Sequence, residues 1–304
     1  MLSEFPNLFV IGAPKCGTTA IYKWLSTHPE ILVSIKKEPN FFNTDHLDDF
    51  RPSLEHYHAL FPTERTGHKY RAEASAWYLY SELAVPEIMK VSPAARFVIC
   101  LRNPADLVFS LHAQQLFSGE EDVADIRKAW GLQSARRAGT SLARCGEPKR
   151  LLYEDICRLG DQLARLYQHV DRGTVHLVFL DDICTDPSAT FGRLARELGL
   201  APHRPGEGVV NGAKRRRSPM IRRLARRLAL LKERTGIRRS FGVLSALDRW
   251  NSVRRPWDKN EGFRRHLQAV FRSDIDLLEQ LTGRDLAAWR EGHRIGPGKM
   301  KEKP

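Results

Sequence analysis

The sequence predicts a three-layer α/β fold in which a central parallel sheet is flanked by helices. Three apolar runs of strand length, at residues 8–11, 96–101 and 175–180, are typical of strands that are buried on both faces. The segments with helical spacing that follow them are residues 18–27, residues from 104 onwards, and residues 187–198. Because strand and helix alternate along the chain, we expect the strands to pair in parallel in a doubly wound sheet.

The individual elements have recognisable ends. The first helix stops at His28-Pro29, because proline cannot continue a helical hydrogen-bond pattern. The second helix begins at Pro104, whose fixed φ suits a first helical turn. Two weaker strands are predicted at residues 31–33 and 70–73.

The length and composition indicate one globular domain. A chain of 304 residues, 42% hydrophobic and 28% charged, has the size of one large α/β domain with a sizeable core, so we expect a single domain over residues 1–304. No apolar run reaches the length of a membrane span, the N-terminus carries no recognisable secretory signal, and the five cysteines form no CxxC pair. We therefore expect a cytoplasmic protein without a disulfide framework, ending in a loose tail at residues 296–304.

The net charge of +13 is concentrated in one segment. Residues 213–260 contain 16 Lys and Arg but three acids, which accounts for the whole excess and predicts a basic helical insertion in a neutral globule. Within it, residues 219–233 have the pattern of a basic amphipathic helix. This helix could dock on the domain surface, form a lid for an acidic acceptor, or contact a membrane surface. A nucleic-acid-binding protein is the alternative that charge alone suggests, but no recognised binding motif accompanies the charge, so we expect no nucleic-acid partner.

A glycine-rich loop joins the first strand to the first helix, as in P-loop-like folds. Gly12 and Gly17 permit a tight backbone path and close approach of a ligand. The N–H groups of Gly17, Thr18 and Thr19 lie where the helix begins, so the helix dipole favours an anion there. Lys15 adds a full positive charge. We expect a phosphate or sulfate group to bind in this loop.

The loop differs from the nucleotide-triphosphatase pattern GxxxxGK[ST] at one informative point. The residue after Gly17 is Thr18, and the lysine instead lies two residues before that glycine. A kinase or triphosphatase also needs a magnesium-binding acid at the end of a strand, for which Asp181 and Asp182 are candidates. A nucleotide kinase or triphosphatase is therefore one alternative, and a plain turn without a ligand is another.

Five segments, in order along the chain, resemble sulfotransferases that use 3′-phosphoadenosine 5′-phosphosulfate (PAPS). Residues 14–25, PKCGTTAIYKWL, resemble the family's 5′-phosphosulfate loop, and residues 97–115 resemble its 3′-phosphate segment. The other three are KEPNFF at 37–42, similar to the KE-x-x-FF box of the carbohydrate-type branch, EASAWY at 73–78, and LLEQLTGRDLAAW at 277–289, similar to the closing helix of bacterial members. The resemblance implies a PAPS-dependent sulfotransferase of the carbohydrate or heparan-type branch that releases adenosine 3′,5′-bisphosphate (PAP) and needs no metal.

The resemblance also implies roles for individual residues toward the donor. Lys15 would place its cation on the leaving or bridging oxygen, where negative charge develops. Arg102 and Ser110 would bind the 3′-phosphate, the arginine through its planar fork of donors. The remaining donor contacts implied by the family are Cys16, Gly17, Thr18, Thr19, Lys214 and Arg215.

Glu38 is the candidate general base, because the carbohydrate-type branch has its catalytic glutamate at this place in the KE-x-x-FF box. The phenylalanine pair that ends the box could desolvate the carboxylate and raise its pKa. Two alternatives stay open. Glu38 could be a surface acid paired with Lys36 or Lys37, and His112 could be the base, since other sulfotransferases use histidine.

The acceptor is less well defined than the donor. The resemblance favours a hydroxyl or amine of a sugar or glycosylated small molecule, with a lipid or natural-product hydroxyl as the alternative. The chain departs from heparan-type relatives at Ala74, where those enzymes carry a lysine that contacts reacting groups. This departure argues against a heparan-like acceptor and leaves the sulfuryl donor unaffected.

Overall fold

The computed structural model describes residues 5–46, 52–62, 67–140, 148–203, 214–216, 252–254 and 261–291. Its strands are β1 (Leu8–Gly12), β2 (Ile31–Val33), β3 (Tyr70–Ala74), β4 (Arg96–Leu101), β5 (Val175–Phe179), β6 (Lys214–Arg216) and β7 (Ser252–Arg254). Its helices are α1 (Thr18–Thr27), α2 (Leu54–His58), α3 (Ala84–Val91), α4 (Pro104–Ser118), α5 (Ile126–Gly131), α6 (Gln133–Arg137), α7 (Tyr153–Cys157), α8 (Leu159–Leu166), α9 (Leu180–Thr185), α10 (Pro187–Glu197), α11 (Glu261–Val270), α12 (Arg272–Thr282) and α13 (Ala287–Glu291). Short 3-10 turns lie at Thr44–His46, Pro148–Leu151 and Arg172–Thr174.

The predicted parallel sheet flanked by helices is confirmed. Five strands lie in the order β2-β3-β1-β4-β5, and every neighbouring pair is parallel. Both weaker strands predicted from the sequence belong to this sheet. The third apolar run ends as a strand at Phe179, because Leu180 already begins α9. Since the strands are parallel, their carboxyl ends share one edge of the sheet, where ligands of open α/β folds bind.

The central strands and α1 form the core. All five residues of β1 are buried, as expected for a strand that is covered on both faces. Helix α1 buries the apolar side that its spacing predicted, including Ile21 and Leu25. Trp24 stacks on Phe191 of α10 with ring centroids 5.3 Å apart. This contact packs α1 against α10.

The chain divides into two compact units. The first contains residues 1–107, 156–210 and 264–304 and holds the five-stranded sheet. The second contains residues 108–155 and 211–263. Inside the second unit, Glu121 accepts hydrogen bonds from Arg136 and Tyr153, each at 2.8 Å, and this buried ion pair is fully enclosed by protein.

The predicted basic insertion is described only in part. Within residues 213–260 the structure describes β6 and β7, which pair antiparallel. The predicted helix at residues 219–233 and the tail at residues 296–304 lie outside the described residues. The single-domain boundary and the insertion therefore stay predictions. In the part of the chain that the structure describes, no helix has both the length and the apolar character needed to cross a membrane.

Candidate active site at the carboxyl edge of the sheet

The candidate site is built from the segments that follow the strands of the sheet. The loop after β1 carries Lys15, the segment after β2 carries Glu38, and β4 is followed directly by Arg102. The segment after β3 contributes Ala76, whose backbone N–H contacts Glu38. The parallel sheet thus brings together residues that are far apart in sequence.

The loop after β1 is held in shape by its backbone. The N–H of Ala13 donates to the carbonyl of Cys100 at 2.9 Å, which ties the loop to β4. Gly17 precedes α1 with a left-handed φ of 104°, and a Cβ at this position would meet Ile183 Cδ1 at 3.0 Å. Because a glycine occupies the N-cap, no side chain caps the first N–H groups of the helix. These N–H groups and the helix dipole suit an anionic ligand, and the predicted binding of one here stays a prediction.

Positive side chains surround the same loop. Arg102 Nη1 donates to the carbonyl of Lys15 at 3.1 Å, so the guanidinium lies against the loop backbone. Burial of the Lys15 ammonium among protein atoms lowers its pKa, and the charges of Arg102 and Lys37 lower it further. Like charges placed this close repel each other, and a bound anion relieves that repulsion. The cluster of Lys15, Lys37 and Arg102 therefore suits an anionic ligand.

Cys16 serves the shape of the loop. Its side chain is fully buried, its N–H donates to the carbonyl of Ala13, and its thiol contacts the carbonyl of Pro14. Burial raises the pKa of the thiol to about 12, so it stays protonated at neutral pH. The N–H and the thiol of Cys16 both bind carbonyl groups within the loop. The predicted contact of Cys16 with PAPS stays a prediction.

Glu38 lies in a turn with unusual backbone angles. Its φ is 61° and that of Asn40 is 53°, both in the left-handed region that non-glycine residues seldom adopt. The Glu38 carboxylate accepts a 2.9 Å hydrogen bond from the N–H of Ala76 and forms an ion pair with Lys37. Its orientation is therefore fixed from two sides.

The surroundings of Glu38 differ from the expectation of a desolvated acid. One third of its side chain is exposed, and it pairs with Lys37, as one of the alternatives had it. The phenylalanine pair is buried elsewhere: Phe41 stacks on Tyr57 with centroids 4.3 Å apart, and Phe42 packs edge-on against the same ring. The aromatic pair thus anchors the turn in the core and leaves the carboxylate accessible.

Four further predicted site residues belong to the second unit. Ser110 is half-buried on α4. His112 is only 2% exposed, its Nε2 lies 2.9 Å from the carbonyl of Val123, and its ring packs edge-on against Tyr153. Lys214 and Arg215 lie on β6, and only their backbone pairing with β7 is described. Their roles toward donor and acceptor stay predictions.

The two acids after β5 have partners within the protein. Asp181 accepts a hydrogen bond from the indole N–H of Trp289 at 2.9 Å, and Asp182 accepts two from Arg284, at 2.6 and 2.7 Å. Burial raises the pKa of Asp181, which makes it a poorer metal ligand. Over the described ranges, no group of three His, Cys, Asp or Glu side chains is arranged to hold a metal ion.

Several residues around Glu38 were not singled out as functional from the sequence. Lys37 had been considered only as a partner in a surface ion pair, although it lies beside Glu38 and close enough to Lys15 to influence its pKa. Ser75 and Tyr78 contact the turn through hydrogen bonds that span 35 or more residues. The sequence signal for them was the family-like segment 73–78, which carried no assigned role.

Comparison with known proteins identifies the family. The model of the sulfotransferase domain matches residues 5–211, about two thirds of the chain. The chain belongs to the sulfotransferase family. This confirms the family and the enzyme class that the five sequence segments predicted.

The sulfotransferase has curated relatives among large bifunctional enzymes. Bifunctional heparan sulfate N-deacetylase/N-sulfotransferase 4 of Mus musculus is 26% identical over 213 residues, covering 66% of this chain and 23% of that protein. Bifunctional heparan sulfate N-deacetylase/N-sulfotransferase 2 of Homo sapiens is 26% identical over 205 residues, covering 66% of this chain and 22% of that protein. The chain therefore spans less than a quarter of the length of these relatives.

A solved structure supports the fold of the sulfotransferase. The sulfotransferase from Alicyclobacillus acidocaldarius superimposes with a TM-score of 0.69 at 23% identity, covering 94% of this chain and 99% of that chain. At this level of identity the likeness concerns the fold. It confirms the predicted P-loop-like architecture.

Proposed function

We propose that this sulfotransferase transfers the sulfuryl group of PAPS to a hydroxyl or amine of a sugar-containing acceptor. The observation that carries the proposal is the cationic cluster of Lys15, Lys37 and Arg102 at the uncapped start of α1, with the carboxylate of Glu38 beside Lys37. Sulfuryl transfer needs this combination: cations where charge develops on the departing group and a base for the acceptor proton.

The donor side of the reaction falls to the loop after β1. When bound, PAPS supplies an activated S–O bond that breaks as the new bond from sulfur to the acceptor forms. The N–H groups of Gly17, Thr18 and Thr19 would hold its 5′-phosphate, and Lys15 would stabilise charge on the leaving oxygen. Arg102 is the proposed contact for the 3′-phosphate.

The acceptor side falls to Glu38. Its carboxylate would take the proton from the acceptor hydroxyl or amine as the new S–O or S–N bond forms. The N–H of Ala76 and the ammonium of Lys37 fix its orientation, and a third of the side chain is open to solvent. His112 is the less favoured base, because it is almost fully buried and one ring nitrogen lies against the carbonyl of Val123.

The proposed acceptor class follows from the relatives. The curated relatives are named as heparan sulfate N-sulfotransferases, which supports an amino-sugar or sugar hydroxyl acceptor over a lipid or natural-product hydroxyl. A sugar or glycosylated small molecule is accordingly our first choice. Contact with a membrane through residues 219–233 would accompany the lipid alternative.

Two measurements test the function. Thermal-shift titration should show stabilisation by PAP, because a ligand that binds only the folded state raises the unfolding temperature. Stabilisation by ATP and magnesium without any by PAP would favour the kinase alternative and overturn the proposal. Transfer from PAPS should then be measured with three probes: an amino-sugar oligosaccharide, its N-acetylated form and a long-chain alcohol. Transfer to the alcohol alone would overturn the acceptor class, and transfer to the N-acetylated form would indicate a hydroxyl acceptor.

A further inference from the structure

A buried polar network lies beneath the turn that carries Glu38. Its centre is Glu73 on β3, which is 1% exposed. Ser75 Oγ donates to Glu73 Oε1 at 2.7 Å, and the hydroxyl of Tyr57 donates to Oε2. The hydroxyl of Tyr78 lies beside the same carboxyl and interacts with it. All three hydroxyl groups are buried with the acid.

The direction of these hydrogen bonds links Glu73 to the turn. A hydroxyl group has one proton, so a hydroxyl that donates to Glu73 can only accept from its other neighbours. Ser75 Oγ accepts from the backbone N–H of Asn40 at 3.1 Å. Tyr78 Oη accepts from the N–H groups of Phe41 and Phe42, at 2.8 and 3.3 Å. An ionised Glu73, which only accepts, therefore orients the Ser75 hydroxyl so that its oxygen accepts from Asn40. The Tyr78 hydroxyl beside the carboxyl accepts from the next two amides of the turn.

The turn needs such support. Glu38 and Asn40 both have left-handed φ angles, which cost free energy unless surrounding contacts hold them. The network binds the backbone immediately after Glu38, and the neighbouring N–H of Ala76 binds the Glu38 carboxylate. A shift of the 40–42 backbone would move the carboxylate away from the place where Ala76 and Lys37 hold it.

We propose that Glu73 is a positioning residue for Glu38, acting through the hydroxyl groups of Ser75 and Tyr78 on the backbone of residues 40–42. The inference rests on the proposed role of Glu38 as general base. Glu73 itself has no contact with donor or acceptor in this scheme. It affects the geometry of the turn that carries Glu38, and therefore kcat. The loop after β1 is not affected.

The network also predicts a pH dependence. The pKa of Glu73 is raised to about 7, mainly by burial and also by the negative charge of Glu38. The hydroxyl groups of Tyr57, Tyr78 and Ser75 act in the opposite direction and lower it. A protonated Glu73 becomes a donor, so one of the three hydroxyl groups must reverse. kcat should therefore fall as the pH is lowered through about 7. Glu73→Gln, which carries a permanent donor, should hold kcat near its low-pH value and abolish that part of the profile.

Two tyrosines offer a matched test. Tyr78 and Tyr57 are both buried beside Glu73, but only the Tyr78 hydroxyl accepts from the turn. Tyr78→Phe should lower kcat by about tenfold, because two backbone amides lose their acceptor. Tyr57→Phe should lower it by less than about threefold, with a comparable loss of thermal stability. The Kd of PAP, measured by calorimetry, should stay within about twofold in both variants.

Equal effects of the two variants on kcat would show that the network only supports the fold, and would overturn the inference. Ser75→Ala, which removes the acceptor for Asn40 in a smaller side chain, gives the same test if Tyr78→Phe does not fold. Glu38→Gln separates this inference from the proposed function. Full kcat in Glu38→Gln would refute Glu38 as the base. If Glu38→Gln is inactive but Tyr78→Phe and Tyr57→Phe lower kcat equally, only the positioning role is refuted.

Discussion

Two regions of the candidate site are built in different ways. The loop after β1 takes its shape from its own sequence: glycines at 12 and 17, a lysine between them and a helix that begins directly afterwards. The turn at residues 37–42 takes its shape from residues that follow β3: the side chains of Ser75 and Tyr78 accept from its backbone, and the backbone N–H of Ala76 donates to the Glu38 carboxylate. The loop after β1 is therefore marked mainly by its local sequence, with ties to Cys100 and Arg102, whereas the turn at residues 37–42 depends on tertiary contacts.

This difference has a functional consequence. In the proposed function the loop after β1 binds the donor. A turn held by distant side chains can keep its base in place while the surface around it changes, because the support lies beneath the turn and the exposed face is free to vary. We expect changes in the first region to affect donor binding and turnover together, and changes at Ser75 and Tyr78, which support the second region, to affect turnover alone.

The largest expected effect is at Lys15. Lys15→Ala should reduce sulfuryl transfer by about 10²–10³-fold, because it removes the cation that stabilises charge on the leaving oxygen. Lys15→Ala should also weaken PAP binding, whereas Tyr78→Phe and Tyr57→Phe should not. Steady-state kinetics with PAPS and calorimetry with PAP measure the two effects. Lys36→Ala, a change at an exposed lysine that the proposed mechanism does not use, serves as the control and should leave both values near wild type. Undiminished transfer in Lys15→Ala would remove Lys15 from the mechanism.

The second prediction concerns the stability contributed by Glu73. Its pKa is raised from an ordinary value of 4.5 to about 7 in the folded protein, so the folded state binds this proton more tightly than the unfolded state. The contribution is fully present below pH 4.5 and is lost as the pH rises to about 7. The free energy of unfolding should fall by about 3 kcal/mol across this window.

Denaturant unfolding at several pH values checks the sign. Glu73→Gln should remove the fall between pH 6 and 7. Asp274→Asn is the matched control. Burial raises the pKa of Asp274 to about 6, so the stability that its proton contributes is lost at a lower pH than the stability contributed by Glu73. A Glu73→Gln variant that keeps the wild-type slope between pH 6 and 7 would contradict the raised pKa.

The contrast between the two regions also explains what the sequence could predict. The order of strands and helices, the loop and Lys15 follow from local spacing, and the structure has them where the sequence placed them. The left-handed backbone of Glu38 has no signal in its residue type, since glutamate seldom adopts that conformation. The exposure of Glu38 was also misjudged, because adjacent phenylalanines suggested burial and nothing in the sequence showed that they pack on Tyr57 instead.

The smallest expected effect is at Gly17, and it tests how local the donor loop is. Gly17→Ala forces a side chain onto a φ of 104° and against Ile183, at a cost of about 1–3 kcal/mol. Because Gly17 also begins the anion-binding turn, PAP affinity should fall along with stability.

Gly262→Ala is the control: this glycine lies in α11 with no atom within 4 Å of the added Cβ, so the substitution should stabilise the protein by about 0.5–1 kcal/mol. Thermal unfolding and PAP calorimetry measure both. If Gly17→Ala lost stability but kept its affinity for PAP, the conformation of the loop would not be what binds PAP. The proposed contrast between the loop after β1 and the turn at residues 37–42 would then be wrong for the loop.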